Sequence, residues 1–342
     1  MRAVVFERHG GVDVLEHKDI ELPPLRPSYV RVRVKAVALN HLDLWVRGGL
    51  PGLKLAFPHR LGSDVAGVVE QVGSDVQGVT PGAEIVLNPG LSCGRCRECL
   101  SGRDNLCRSY AILGEHVSGG YGELLDVPPQ NLCDKPKRLS FEEAACVPLT
   151  FLTAWQMLVE RAALRPGETL LVHAAGSGVG AAAVQIGKLL GARVIATAGS
   201  DDKLARARGL GADEGLNYEK EDFAKAAKAL TDKRGVDVVF EHVGEKTWPG
   251  SLASLAPGGR LVTCGATTGY DGRVDLRHLF FKQYSLLGST MGSKGVMFDI
   301  LAHVESGRLK PVLDRTLPLA KAAEAHRLLE DRAQFGKIVL VP

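Results

Sequence analysis

The 342-residue chain has no apolar run long enough to cross a bilayer, and its opening, MRAVVFERHG, is not a secretory leader. It has no long run of basic residues, and its formal net charge is only +3, which argues against nucleic acid as a partner. Internal repeats and low-complexity tracts are absent. Asparagine, glutamine and methionine are scarce, and arginine (25) outnumbers lysine (17), a bias shared by heat-stable proteins and by GC-rich genomes. What remains is ordinary for a cytoplasmic enzyme: 45% hydrophobic and 24% charged residues. The length exceeds the usual single domain, so two domains are expected.

The seven cysteines are unevenly spread. Cys133, Cys146 and Cys264 are scattered and read as small buried apolar residues in a reducing compartment. Cys93, Cys96, Cys99 and Cys107 fall within fifteen residues as Cys-x2-Cys-x2-Cys-x7-Cys. Four soft thiolates on one short loop suit tetrahedral zinc, and with no coordination position left open such an ion is structural. Iron in a rubredoxin-like site, or disulfides, would use the same residues; the closing Cys-Pro of a ferredoxin is absent. One zinc per chain is the expectation.

The middle of the chain is organised around Thr169–Lys188, TLLVHAAGSGVGAAAVQIGK. An apolar run of strand length, Thr169–Ala174, leads into a glycine-rich turn, Ala175–Gly180. Apolar residues at helical spacing follow in Ala181–Leu190. Gly176-x-Gly178-x-x-Ala181 fits the dinucleotide fingerprint in its G-x-G-x-x-A form, and the second strand Arg193–Ala198 supplies its context. Gly176, Ser177, Gly178, Val179 and Gly180 are therefore candidates for holding a pyrophosphate at a helix N-terminus, where free N–H groups and the positive dipole end lie. The alternative is a glycine turn that merely packs a helix on a sheet.

Residues 1–90 read as short strands, Tyr29–Leu39 alternating most cleanly, and their spacing suggests a small barrel. Ser140-x-x-Glu143 is a capping box that opens a helix. From Thr169 to about Ser289 six strands alternate with helices: Thr169–Ala174, Arg193–Ala198, Glu214–Leu216, Val236–Glu241, Gly259–Cys264 and Ser285–Gly288. That order predicts a doubly wound parallel sheet in an α/β protein. The tail predicts helices at Val296–Gly307 and Leu319–Leu329 and a last strand at Lys337–Val341.

Six stretches together resemble the medium-chain dehydrogenase/reductases, in their quinone oxidoreductase-like branch, over essentially the whole length. They are Ala38-Leu-Asn-His-Leu-Asp43, Leu61-Gly-Ser-Asp-Val-Ala-Gly67, the cysteine lobe, His173-Ala-Ala-Gly-Ser-Gly-Val-Gly180, Leu216-Asn-Tyr218 and Gly336-Lys-Ile-Val339. The resemblance implies a GroES-like β-barrel catalytic domain, residues 1–146 with 290–342 returning to it. It implies a Rossmann nucleotide-binding domain at 147–289, with the active site in the cleft. Thr153 would contact the nicotinamide end, and Val243, Thr267 and Lys337 would lie on strand-end and tail cofactor contacts. Family members pair through the edge strand of the nucleotide domain, here Lys282–Ser289, so a homodimer or homotetramer is implied.

The chain departs from its zinc-dependent relatives where they bind a catalytic metal. Asn40 stands where they carry Cys, Gly62-Ser63-Asp64 where they carry Gly-His-Glu, and Leu149 near their third ligand. Asn, Ser and Leu cannot build a three-ligand zinc site. Without a Lewis acid a conjugated acceptor is easier to reduce than a plain carbonyl, because its charge spreads and hydrogen-bond donors suffice. By resemblance Asn40 is such a donor, and Asp43, Ser63 and Asp64 flank it as candidate catalytic residues. Trp45 replaces a frequent Tyr, so a phenol proton donor is missing there. Asp43 and Asp64 would otherwise only hold loops. A rival arrangement regroups His41, His59, Asp43 and Asp64 around a metal.

Strand Arg193–Ala198 ends without the acid that binds the ribose hydroxyls in NAD enzymes. Ser200 and Lys203 suit a 2′-phosphate, with Tyr218 added by resemblance, and favour NADPH over NADH; capping by Ser200 or Asp201 and a solvated Lys203 are the plain alternative. The expectation is an NADPH-dependent reductase of a small quinone, enone or other activated carbonyl, with one structural zinc and no catalytic zinc. The alternatives are a zinc-dependent alcohol dehydrogenase with unorthodox ligands and a nucleotide-binding protein with a structural or RNA-binding role, the lack of a basic stripe arguing against RNA.

Overall fold

The strand Val30–Ala38 is the spine of the first folded unit. Its residues alternate between core and surface, Val30, Val32 and Val34 being buried, because successive Cβ atoms of a strand point to opposite faces. Along one side it pairs antiparallel with Asp64–Val72. Along the other, its first residues pair with Leu124–Val127 and its last two with Lys337–Val341. The sheet continues to Glu84–Leu87 and Leu132–Asp134 at one end and to Leu313–Pro318 at the other. It wraps one core that includes Phe6, Val32, Val65, Leu87, Tyr121, Leu125 and Leu340, the GroES-like barrel.

Register fixes the site. Val339 lies opposite Ala38 and Leu340 opposite Val37, and Leu39 N–H donates to the Ile338 carbonyl at 2.9 Å. Carried on, the same antiparallel register sets Lys337 opposite Asn40. On the other side Asp64 lies opposite Ala38. Three polar residues from distant parts of the chain thus reach one end of the spine.

The computed structural model describes all residues, Met1–Pro342, as two units: Met1–Leu149 with Ser293–Pro342, and Thr150–Gly292. No helix is long and apolar enough to cross a membrane. The second unit is a six-stranded, all-parallel sheet. From edge to edge its strands are Glu214–Asn217, Arg193–Ala198, Thr169–Val172, Val236–Glu241, Leu255–Thr263 and Ser285–Gly288. That order turns back on itself between Thr169–Val172 and Val236–Glu241, the doubly wound arrangement whose crevice at the turning point takes ligands. Its central strands are buried on both faces, which is why they read as continuous apolar runs.

The fifth strand begins at Leu255, ahead of the expected Gly259. Its start contains Pro257 and Gly258, and the pairing register shifts there, between Val236 and Val238 of its partner. Proline cannot donate to a ladder, so it sits at that irregularity. The Ser140 capping box forms as expected: Glu143 N–H donates to Ser140 Oγ at 3.2 Å and Ser140 N–H to Glu143 Oε2 at 3.0 Å.

Candidate active site

Asn40 lies two residues beyond the spine strand and caps a helix, His41–Gly48, that the motif alone does not announce. Its side chain is 7% exposed. Asn40 Nδ2 donates to Asp64 Oδ2 at 2.9 Å, and Lys337 Nζ donates to both Asn40 Oδ1 and Asp64 Oδ2, the latter at 2.9 Å. Asp64 Oδ1 accepts the Leu149 backbone N–H at 2.8 Å. Asn40, Asp64 and the backbone of Leu149 therefore converge. At their meeting point is a lysine ammonium. Asp64 and Lys337 are 0% and 4% exposed, a buried ion pair.

Asp43 faces the backbone. Its Oδ2 accepts Asn40 N–H at 2.7 Å and its Oδ1 accepts Gly62 N–H at 3.0 Å. Gly62 has φ +97°, and a Cβ there would meet Tyr121 at 2.6 Å, so only glycine offers that N–H without strain. Burial pushes the Asp43 carboxyl up to about 6, against the pull of its two backbone donors. Its position is that of a clamp between the two motifs. Ser63 is fully buried, and its Oγ has no hydrogen-bond partner.

The rival metal grouping does not assemble. His59 Nε2 donates to the Gly114 carbonyl at 3.2 Å, His41 lies beside the Trp45 ring with centroids 6.4 Å apart, and the Asp43 and Asp64 oxygens are taken by N–H groups and Lys337. An ammonium already neutralises the carboxylate that a cation would need.

In the second unit the glycine turn opens the helix Gly178–Leu189 with Ser177 as its cap. Ser177 Oγ accepts Gly180 N–H at 2.9 Å, and the Ser177 carbonyl accepts Ala181 N–H. No such partner takes the N–H of Gly178 or Val179 within the helix, as at any helix start. Gly180 is required by its own loop: a Cβ would approach the Ala174 carbonyl oxygen to 2.5 Å. Ala174 itself has φ +43°, a left-handed residue that is not glycine, so the turn holds local strain.

Behind the turn runs a buried polar chain that includes His173. Ala174 N–H donates to Thr197 Oγ1, Thr197 Oγ1 meets His173 Nδ1 at 3.2 Å, His173 Nε2 meets Ser251 Oγ at 2.9 Å, and Ser251 Oγ donates to Glu241 Oε2 at 2.6 Å. Because Ser251 donates onward, His173 donates from Nε2 and accepts at Nδ1. Burial holds this imidazole below its ordinary range. Glu241 Oε1 accepts Val243 N–H at 2.7 Å and Gly244 N–H at 3.1 Å, which fixes the loop after its strand. Spacing gave no sign of this network, because its members come from four segments of the chain.

The remaining candidates sit at strand ends. Ser200 caps the helix Asp201–Gly209, its Oγ accepting Lys203 N–H at 3.3 Å. Asp201 is engaged by Asn217 Nδ2 at 2.7 Å and by Lys220 Nζ. Tyr218 follows the neighbouring strand and lies over Gly199, where a Cβ would meet its hydroxyl at 2.9 Å. Thr267 Oγ1 donates to the His242 carbonyl at 3.2 Å, next to Val243. Thr153 is buried in the helix Pro148–Trp155.

The four lobe cysteines cluster with their Sγ atoms all within 4.8 Å of one another. Cys93 to Cys99 is 3.9 Å and Cys96 to Cys99 is 3.5 Å. Thiolates about 2.3 Å from one zinc would stand about 3.8 Å apart, so the set fits the ion. Backbone N–H groups of Arg95 and Cys96 pull the Cys93 thiol down to about 6. The lobe is tied to the returning tail by Lys294, whose Nζ donates to Asp104 Oδ2 and Ser92 Oγ, each at 3.0 Å.

Both halves match known families: the alcohol dehydrogenase GroES-like domain over residues 26–137 and the zinc-binding dehydrogenases over 178–306. The chain belongs to the zinc-type alcohol dehydrogenase (medium-chain dehydrogenase/reductase) superfamily, and it is an NAD(P)-dependent oxidoreductase. It is 34% identical to a quinone oxidoreductase of Pseudomonas aeruginosa, over 100% of this chain and 99% of that one. It is 32% identical to an NAD-dependent alcohol dehydrogenase of Sulfurisphaera tokodaii, over 96% of each. A solved structure described as an NAD-dependent alcohol dehydrogenase is 56% identical and superposes with a TM-score of 0.97, each chain covered fully.

Proposed function

We propose that this chain is an NADPH-dependent reductase of a quinone, enone or other activated carbonyl, holding one structural zinc in the cysteine lobe and no catalytic zinc. The observation that carries the reading is Lys337 Nζ between Asn40 and Asp64, where a metal-ligand set would have to be. When bound, the nicotinamide supplies the hydride. Asn40 donates a hydrogen bond to the acceptor oxygen, where negative charge develops. Asp43 and Asp64 keep Asn40 in place, and Ser63, next to Asp64 in sequence, is the remaining candidate, its buried hydroxyl unsatisfied.

Gly176, Ser177, Gly178, Val179 and Gly180 would take the pyrophosphate, with Val243, Thr267 and Thr153 toward the nicotinamide. Lys337, committed by its two side-chain partners, keeps a third N–H for a cofactor oxygen. Support for NADPH is Tyr218 beside Gly199 and the engagement of Asp201 by Asn217 and Lys220, while Ser200 Oγ serves as the helix cap. The second reading is an NAD-dependent alcohol dehydrogenase, favoured by the 56% identical structure so described.

The test is oxidation of NADPH and NADH against quinones, enones and aldehydes, and reduction of NAD by alcohols, with metal content measured on the same sample. NADPH oxidation by a conjugated acceptor with one zinc per chain supports the reading. Alcohol oxidation with NAD that is lost on chelation and comes with two zincs per chain refutes it. A second copy is the expected partner, docked on Ser285–Gly288, an edge strand beside exposed Phe280 and Phe281. Light scattering of the purified chain reads that assembly directly.

A further inference from the structure

The carboxamide of Asn40 has two ends of nearly the same shape and opposite hydrogen-bonding sense. Lys337 Nζ can only donate, so it faces Oδ1; the Asp64 carboxylate can only accept, so it faces Nδ2 at 2.9 Å. A flipped amide would set NH2 against an ammonium and C=O against a carboxylate, exchanging two charge-assisted bonds for two repulsions. Asp64 also accepts from Lys337, and its other oxygen is anchored on the Leu149 N–H. The triangle is closed and buried, its members between 0% and 7% exposed. Nδ2 carries two hydrogens, and only one of them goes to Asp64.

We infer that Asp64 and Lys337 are positioning residues for Asn40, locking its carboxamide so that the second Nδ2–H is held ready for the acceptor oxygen. The inference rests on the reading of Asn40 as the hydrogen-bond donor in the proposed reduction. A buried Lys–Asp pair is weak as a stabiliser, since desolvation offsets most of the attraction, but it is an effective clamp on a neutral amide. A donor fixed before the reaction spends nothing on reorganisation as charge develops, which is where preorganised donors gain their effect.

A double-mutant cycle of Asn40→Ala and Lys337→Met tests this, read as single-turnover hydride transfer from saturating NADPH to a quinone, with NADPH affinity titrated on each variant. Asn40→Ala should slow transfer by about 100-fold, the usual loss for one preorganised donor. Lys337→Met should slow it comparably, and the double variant should be no slower than either, because Lys337 acts through Asn40. Losses that multiply would overturn the inference and give Lys337 a direct role. Lys337→Met leaves a buried charge and can unfold the chain, so the neutral pair Asp64→Asn with Lys337→Met is the second variant. It should melt near the parent and still transfer slowly; a folded pair variant with parental transfer overturns the inference. If Asn40→Ala alone transfers at the parental rate, the donor reading itself falls and the inference with it. If the parent reduces no quinone or enone at all, the reaction class is what has failed.

Discussion

Lys337 donates to Asp64 across 273 residues of sequence, at 2.9 Å, with both side chains buried. Removing one partner strands the other charge in the interior. Asp64→Leu should therefore destabilise the fold by about 3–5 kcal/mol. Replacing both, as Asp64→Asn with Lys337→Met, should recover most of that loss. Denaturant unfolding of the three chains checks the difference.

The cysteine lobe stands apart from the Asn40 triangle in its chemistry. Cys99→Ser, or prolonged chelation, should drop the zinc content from one per chain to near zero and lower the melting temperature. The rate of hydride transfer in the protein that stays folded should remain within a few-fold of the parent. Loss of transfer in proportion to zinc, with the fold intact, would mean that the metal takes part in the reaction.

Acid should destabilise the protein through His326. Arg47 Nη1 lies 2.9 Å from its Nδ1 and Tyr121 Oη 3.0 Å from its Nε2. Arginine only donates, so Nδ1 accepts and the ring is neutral. Burial, with the Arg47 charge added, holds this imidazole down at about 3. In the unfolded chain it takes a proton near pH 6.5, so between pH 6.5 and 3 the unfolded state binds more protons and stability falls with pH. The loss should be about 2 kcal/mol from pH 6.5 to 5. His326→Gln should flatten that part of the stability curve while lowering its plateau. Asp43, pushed up to about 6, works in the opposite direction between pH 6 and 4 and makes the parent's net slope shallower.

Gly180→Ala places a methyl 2.5 Å from the Ala174 carbonyl oxygen, closer than the backbone of the turn tolerates. The turn must open, and NADPH affinity should fall by about tenfold or more, because the N–H groups at the helix start lose their common direction. Ser177→Ala removes the cap but keeps the backbone N–H groups proposed for the pyrophosphate, and should cost about 1 kcal/mol of stability. Fluorescence titration and thermal unfolding separate the two effects.

Lys203→Ala and Ser200→Ala should raise the KM for NADPH about tenfold and leave that for NADH nearly unchanged. Equal effects on both cofactors would leave Ser200 as a helix cap and return the assignment to NAD.

The legible parts of the sequence are those written in local pattern. Alternation in Tyr29–Leu39 gave a strand within one residue at each end, Val30–Ala38. Local patterns mark all six strands of the second unit's sheet, and its central strands read as apolar runs because buried parallel strands need no polar face. The cysteine spacing alone implied the cluster that the lobe forms. The helix His41–Gly48 was hidden, since its signal is a cap made by Asn40 and Asp43 rather than a long apolar stripe.

The sequence by itself determined the elements, the glycine turn, the thiolate cluster and the presence of Asn, Ser and Leu at positions 40, 63 and 149. Each depends on residues within a few positions of one another, or on a side chain's own chemistry. Only the tertiary structure decided what Asn40 meets. Lys337 looked like a tail contact for a cofactor. The pairing of Lys337–Val341 with Val30–Ala38 puts it opposite Asn40, and the pairing of Asp64–Val72 brings the carboxylate to the same end. Sheet register is a long-range property, set by core packing around the barrel, and a one-residue slip would turn these side chains to the other face.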